Sequence, residues 1–385
     1  MFSARNFCTK ARFPPLTSHH LKFYHPQVSK RNLRIMTSSN SSGQHLAAIA
    51  PSKGVPLEVT HRPTPSPGPD DLLIEVESIA VNPIDYYQRD FGFPPIANYP
   101  AVLGSDIAGT VISAGSSVAS DAPKSGTRVA AFAPCFFMQG APDYGALQTR
   151  VLVPAVNAVP LPQAISFNDA SILPMAAATA WAGWYSLGIA RDTKYTAADK
   201  KGLLVWGGAS SIGSAAVQIA KLMGFSVYVT ASEKHHELLK GLGATKVFDY
   251  KDEHVVENIV KAAKADGVTV QQGFDAVGQK ESSMKVLELL KGAGTAKLAS
   301  ATPPQEGLAK MEGVEVVFVM APEDVKDRTE HFHFIFNVWL KEKLEKGEFV
   351  PSPKAKVVEG GLESANKALD ELKAGVSGVK LVLEV

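Results

Sequence analysis

Residues 203–221 read LLVWGGASSIGSAAVQIAK, an apolar strand-like run, a glycine- and serine-rich turn, and a stretch with helical periodicity. Within it, Gly208-Ala209-Ser210-Ser211-Ile212-Gly213 is one glycine short of the G-x-G-x-x-G turn that holds a dinucleotide pyrophosphate. Gly208 stands where the chain must turn tightly, and Gly213 where the helix must pack on the sheet. Ser210 takes the middle place, where backbone normally approaches phosphate. It crowds that place slightly, yet Ser210 and Ser211 can offer hydroxyl and N–H groups. A helix beginning near Ile212 adds the positive end of its dipole. The turn alone could be an ordinary Gly/Ser loop; strand, turn and helix in this order, with further βα units behind them, predict a dinucleotide site.

The end of the second strand selects the dinucleotide. An NAD site places an acid there to hold the ribose hydroxyls. Here VYVTASEKHH runs out through Thr230-Ala231-Ser232, with Lys234, His235 and His236 close behind. A hydroxyl among cationic groups suits a 2′-phosphate, so the predicted cofactor is NADPH. Ser232 could instead cap the next helix and Lys234 could be solvated surface. Glu233 falls near the place of an NAD acid, but the first turn of a helix favours acids in any case.

The elements that position these residues come in two rhythms. Residues 44–160 read as short strands with frequent turns: DDLLIEVESIAVNP alternates and breaks at Pro83, and SDIAGTVISAGSSV reads as a glycine-punctuated strand pair. From about residue 200, strand-like runs at 203–206, 226–230, 246–248, 274–277, 296–299 and 314–320 alternate with helical patterns at 212–223, 233–242, 253–265 and 280–291. That alternation implies a doubly wound parallel sheet. A long helix is expected near 328–346 and a closing strand at 380–385. The charge-free stretch 170–190 is long enough to span a membrane, but Pro174 and its small residues favour a buried helix.

Composition excludes several classes. The 385 residues, 45% hydrophobic and 20% charged, suit a two-domain globular protein. Residues 1–57 carry eight bases (Arg5, Lys10, Arg12, Lys22, Lys30, Arg31, Arg34, Lys53) and no acid, leaving 31 of the 39 bases against all 38 acids. An acidic body argues against nucleic acid as a partner. The basic start looks like a mitochondrial transit peptide, or like a leader upstream of a start at Met36, so localisation is mitochondrial or cytoplasmic. Cys8 and Cys135 are the two cysteines, too few for a disulfide framework or a Cys-rich zinc site.

Eight landmarks now stand in a familiar order: VNPIDYY (81–87), PAVLGSDIAGTVISAG (101–115), GALQTRVLVPA (145–155), LPMAAATAWAGWYSL (173–187), GGASSIG (207–213), LGATKVFDY (242–250), FDAVG (274–278) and the closing GVSGVKLVLEV. With them the chain resembles the medium-chain dehydrogenase/reductase superfamily. The resemblance implies an α/β fold: a GroES-like β-rich catalytic domain (44–171 and 322–385) with an inserted Rossmann domain (172–321), after a leader at 1–43. Zinc alcohol dehydrogenases of this fold carry a Cys near Asn82 and Gly-His-Glu where this chain has Gly104-Ser105-Asp106. No metal site is therefore expected. The zinc-free relatives are quinone oxidoreductases and enoyl reductases, and the NPxD turn and TASEKHH look most like the fungal trans-acting enoyl reductases.

That resemblance puts Asn82 and Asp85 beside the nicotinamide and its ribose, Thr179 facing the nicotinamide, and Val379-Lys380 closing over the cofactor. It also puts Ser232, Lys234 and Tyr250 on the 2′-phosphate, with His235 beside them. The implied reaction is hydride transfer from NADPH to an enone or enoyl thioester, with NADPH:quinone reduction and a non-catalytic NADPH binder as alternatives. Polar groups near Asn82 and a backbone N–H would stabilise the developing enolate oxygen. Some relatives carry a proton-donating tyrosine where this chain has Phe93, so Tyr144, Tyr86, Tyr87 or a water must protonate instead. A small-molecule or acyl-thioester substrate and a homodimer are the expected partners.

Overall fold

The computed structural model describes residues 43–291, 293–303 and 312–385. The leader expected at 1–43 lies, but for its last residue, outside them. The alternating half forms a six-stranded parallel sheet, ordered 3-2-1-4-5-6 by position in the chain. The strands are Lys201–Trp206, Ser226–Ala231, Lys246–Asp249, Thr269–Asp275, Ala296–Ser300 and Val314–Phe318. The reversal of order beside the first strand opens a crevice at the strands' C-terminal ends. Leu203 and Val205 pack with Val217 and Ile219 of the helix Ser211–Leu222 on one face. Leu204 and Trp206 pack with Ile259 and Leu287 on the other. Burial on both faces is why LLVW is apolar throughout rather than alternating.

The β-rich half holds a seven-stranded sheet and a three-stranded antiparallel one. Its long strand Asp71–Ala80 pairs with Asp106–Ala114 on one side and with Val379–Glu384 and Arg150–Pro154 on the other. SDIAGTVISAGSSV is thus one strand, Asp106–Ala114, rather than the expected pair. Gly109 inside it and Gly115 just past its end both mark places where other backbone comes close. A Cβ on Gly109 would lie 2.0 Å from the Glu75 carbonyl oxygen, and one on Gly115 would lie 1.8 Å from that of Gly68.

Stretch 170–190 becomes the end of one short helix, Phe167–Ser171, and the buried helix Pro174–Leu187. No helix among the described residues is long and apolar enough to cross a membrane. Ala177, Trp181 and Trp184 share one core with Phe132 of the β-rich half and Val205 of the parallel sheet, so this helix is the wedge between them. The expected long helix runs continuously as Val325–Phe332, His333–Leu340 and Lys341–Glu345, with π-type hydrogen bonding in its middle segment. The closing strand brings the chain's end beside the start of the helix Pro83–Phe91: the Val81 N–H donates to the Leu381 carbonyl at 3.1 Å.

Candidate active site

The glycine turn is built differently from its sequence reading. The left-handed residue is Gly207, at φ 82°, one place before the predicted Gly208. Gly208 is needed for space: a Cβ there would sit 2.2 Å from Val229 Cγ1. A Cβ on Gly213 would sit 2.3 Å from the Gly207 carbonyl oxygen, so helix and turn meet only through glycine, as expected. Ser210 does not offer its hydroxyl to a ligand. It donates to the Gly207 carbonyl at 3.0 Å and accepts from the Gly213 N–H at 3.1 Å, capping the helix Ser211–Leu222. Ala209, Ser211 and Ile212 remain partly exposed on the open side of the turn. The first amides of a helix have no acceptor within it, which leaves this end suited to an anion.

At the next strand, Ala231 pairs with Asp249, so the chain leaves the sheet at Ser232 and Tyr250 side by side. Ser232 stands at the N-cap of the short helix Glu233–His235 but makes no side-chain cap, which removes the capping explanation for it. Lys234 and Tyr250 are exposed. His235 Nε2 lies 3.0 Å from Ser377 Oγ, and its ring covers Gly378, where a Cβ would come within 2.1 Å of it. This contact ties the Ser232 turn to the strand that begins at Val379.

The third part is a buried charge cluster. Asn82 caps the helix Pro83–Phe91, and its Nδ2 donates to Asp106 Oδ2 at 2.9 Å. Lys380 Nζ donates to Asn82 Oδ1 and lies 3.4 Å from Asp106 Oδ2. The Met175 amide, in the first turn of Pro174–Leu187, donates to Asp106 Oδ1 at 2.6 Å. Burial pushes the Asp106 carboxyl up, while Lys380, Asn82 and Met175 pull it back. Thr179 lies four residues after Met175, hence on the same helix face. Asp106 is the residue that sequence reading missed. Its signal was the acid of Gly104-Ser105-Asp106, read there only as a departure from a zinc motif.

Asp85 and Asn82 are both held inside this cluster. The Asp85 side chain is fully buried, and its Oδ2 accepts from the Asn82 N–H at 2.7 Å. Asn82 itself has its amide engaged on both sides, by Asp106 and Lys380. Burial raises the Asp85 carboxyl from 3.8 to about 7. Between those values the folded chain holds a proton that the unfolded chain has released, so stability falls as pH rises through this window. Asp85→Asn is expected to flatten that slope, read from urea midpoints between pH 4 and 7.

Tyr144, one of the candidate proton donors, lies at the other end of a long strand from Asn82. Its hydroxyl donates to Asp71 Oδ2 at 2.9 Å, and Asp71 begins the strand whose far end leads to Asn82. An extended run of this length spans on the order of 30 Å. Burial and Asp71 push the Tyr144 phenol up to about 12, which leaves it a structural donor. Tyr144→Phe is expected to keep turnover within about twofold and to cost about 1 kcal/mol of stability, measured by steady-state rates and denaturation. Of the other tyrosines, Tyr86 and Tyr87 lie edge to face at 4.6 Å, and burial and Tyr87 raise the Tyr86 phenol.

Comparison with known proteins agrees with this architecture. Residues 68–163 match the sequence model of the alcohol dehydrogenase GroES-like domain, and residues 211–321 that of the zinc-binding dehydrogenase family. The chain is 45% identical over 341 residues to the trans-enoyl reductase tndF of Aspergillus flavipes, covering 88% of this chain and 99% of that one. It is 47% identical over 290 residues to the trans-enoyl reductase tazE of Aspergillus terreus, covering 75% and 96%. The quinone oxidoreductase of Coxiella burnetii superposes with a TM-score of 0.66 at 25% identity, over 89% of this chain and 99% of that one.

The zinc of the second family's name does not fit the residues present. Asn82, Ser105 and Asp106 supply no thiolate and no imidazole, and the Lys380 ammonium is already bonded to two of the three. A nicotinamide dinucleotide does fit, through a turn that admits no Cβ at Gly208 or Gly213 and a helix end open to phosphate. The shared sequence, the two domain matches and the 3-2-1-4-5-6 sheet converge: the chain belongs to the medium-chain dehydrogenase/reductase family of nicotinamide-dependent oxidoreductases, alongside fungal trans-enoyl reductases.

Proposed function

We propose that this protein is an NADPH-dependent, zinc-independent reductase of a polarised carbon–carbon double bond in an enone or enoyl thioester. The observation that carries this reading is the Asn82–Asp106–Lys380 cluster, which puts an ammonium where related alcohol dehydrogenases need a metal to hold an alkoxide. The catalytic part is 44–171 and 322–385, and the nucleotide part is 172–321.

When bound, NADPH supplies a hydride to the β-carbon of the acceptor. The turn 207–213 holds the pyrophosphate with its free amides, while Ser232, Lys234 and Tyr250 receive the 2′-phosphate. Thr179 lines the nicotinamide's place. Asn82 and Asp106 fix the Lys380 head group, and a solvent proton completes the α-carbon. The double substitution Ser232→Asp with Lys234→Ala is expected to move the NADPH-to-NADH preference at least ~30-fold toward NADH, about 2 kcal/mol, read from kcat/KM with each cofactor. An unchanged ratio would place the 2′-phosphate elsewhere.

The direct test is loss of nicotinamide absorbance with 2-enoyl thioesters, enones, quinones and aldehydes, with and without a chelator. Chelator-insensitive oxidation of NADPH by enones or enoyl thioesters is the expected result. Turnover with quinones alone would assign the quinone-reductase activity, and binding without turnover on any acceptor would assign a silent NADPH binder.

A further inference from the structure

The turn after the second parallel strand reaches across to the β-rich half of the molecule. Ser232 and Lys234 lie in one tight turn with His235, whose N–H donates to the Ser232 carbonyl at 2.9 Å. His235 Nε2 is 3.0 Å from Ser377 Oγ, and a Cβ on Gly378 would stand 2.1 Å from the ring's Cε1 and 2.8 Å from its Nδ1. Ser377 and Gly378 end the segment between the helix Ala365–Ala374 and the strand Val379–Glu384. The imidazole thus rests on backbone, at a left-handed residue (φ 67°) with no side chain to hold it off. Burial, Lys234 and His236 hold this histidine below its usual pKa range, which leaves it neutral near pH 7 and suited to a hydroxyl partner.

Two residues beyond Gly378 stands Lys380, whose ammonium donates to Asn82 Oδ1 and faces Asp106 Oδ2 at 3.4 Å. That is about 7 Å of extended chain from the imidazole contact. The ladder with Lys354–Val357 begins only at Val379, so Ser377 and Gly378 lie before it, where His235 holds them. Ser377 is exposed, and this short strap has two arrangements open to it, clasped by His235 or free. A ligand that orders Ser232 and Lys234 orders His235 with them, because one hydrogen-bonded turn carries all three.

We propose that His235 is a positioning residue that couples the two ends of the site: a 2′-phosphate held at Ser232 and Lys234 steadies the imidazole on Ser377 and Gly378, and with it the start of the strand that carries Lys380. This rests on the NADPH reading and extends it, since the phosphate then acts on the Lys380 end as well as on affinity. Amide hydrogen exchange of the full chain across residues 376–381 tests it, with 2′-AMP and 5′-AMP as probes. Saturating 2′-AMP is expected to slow exchange there about fivefold, and 5′-AMP to leave it unchanged. Coupling is reciprocal, so Ser377→Ala should abolish the slowing and weaken 2′-AMP by the same factor of about five. His235→Ala should behave alike, whereas Ser377→Thr, which keeps the hydroxyl, should retain both effects. The proposal is overturned by saturable 2′-AMP binding without slowing, by equal slowing with 5′-AMP, or by slowing that persists in folded Ser377→Ala and His235→Ala. Failure of 2′-AMP to bind at all overturns the NADPH reading, and this proposal with it.

Discussion

Replacing Lys380 by methionine is expected to lower stability by about 3–5 kcal/mol, seen as a fall in the urea midpoint. The reason is local. Asp106 is fully buried and Asn82 nearly so, and the lysine ammonium is the positive charge facing the Asp106 carboxylate. Methionine fills similar volume but leaves that carboxylate without a counter-charge in a medium where water cannot replace it. Removing both charges together should recover much of the loss, so Lys380→Met with Asp106→Asn is the informative partner. A double variant no more stable than the single one would show that packing, not charge pairing, holds this corner. Turnover by both variants should drop sharply, because the proposed function rests on the ammonium that Asn82 and Asp106 hold in place.

The second large effect is expected at Gly213. Valine there should weaken dinucleotide binding by ~100-fold, close to 3 kcal/mol, while circular dichroism still reports a folded chain. A Cβ at this position meets the Gly207 carbonyl at 2.3 Å and Gly208 Cα at 2.9 Å, both backbone atoms that cannot rotate aside. The helix Ser211–Leu222 must therefore move away from the turn, and the amides that meet the pyrophosphate move with it. Direct titration with NADPH reads the change. Wild-type affinity in a folded Gly213→Val protein would mean that the dinucleotide does not lie on this turn.

Much of the fold was legible because apolar periodicity and turn chemistry are local. Five of the six strands of the parallel sheet fall within two residues of their expected places, while the fourth, expected at 274–277, starts five residues earlier at Thr269; the apolar run at 203–206 announced burial on both faces. The misreading of 105–118 as two strands has a simple cause. Gly109 and Gly115 look like turn residues in the sequence, whereas in the fold they are small because backbone packs against them, that of the strand Asp71–Ala80 at Gly109 and that of the loop at Gly68 and Pro69 at Gly115. A contact across the sheet leaves no local signature beyond the glycine itself.

The functional residues divide in the same way. By itself the sequence determined a glycine turn of the dinucleotide-binding type, the lack of thiolate or imidazole at Asn82 and Gly104-Ser105-Asp106, and the hydroxyl and cations after the second strand, because each is a statement about residue types at short spacing. Only the tertiary structure decided what those residues do. It moved the tight turn from Gly208 to Gly207, used the Ser210 hydroxyl as a helix cap, buried the Asp85 side chain and carried Tyr144 to the far end of a long strand. It also assembled Asn82, Asp106, Met175 and Lys380 from four segments far apart in the chain. Their partnership arises from antiparallel pairing of the last strand with Asp71–Ala80 and from the helix wedged between the two sheets. Hydrogen bonding and burial at such a meeting point depend on three-dimensional distance, which residue order alone does not encode.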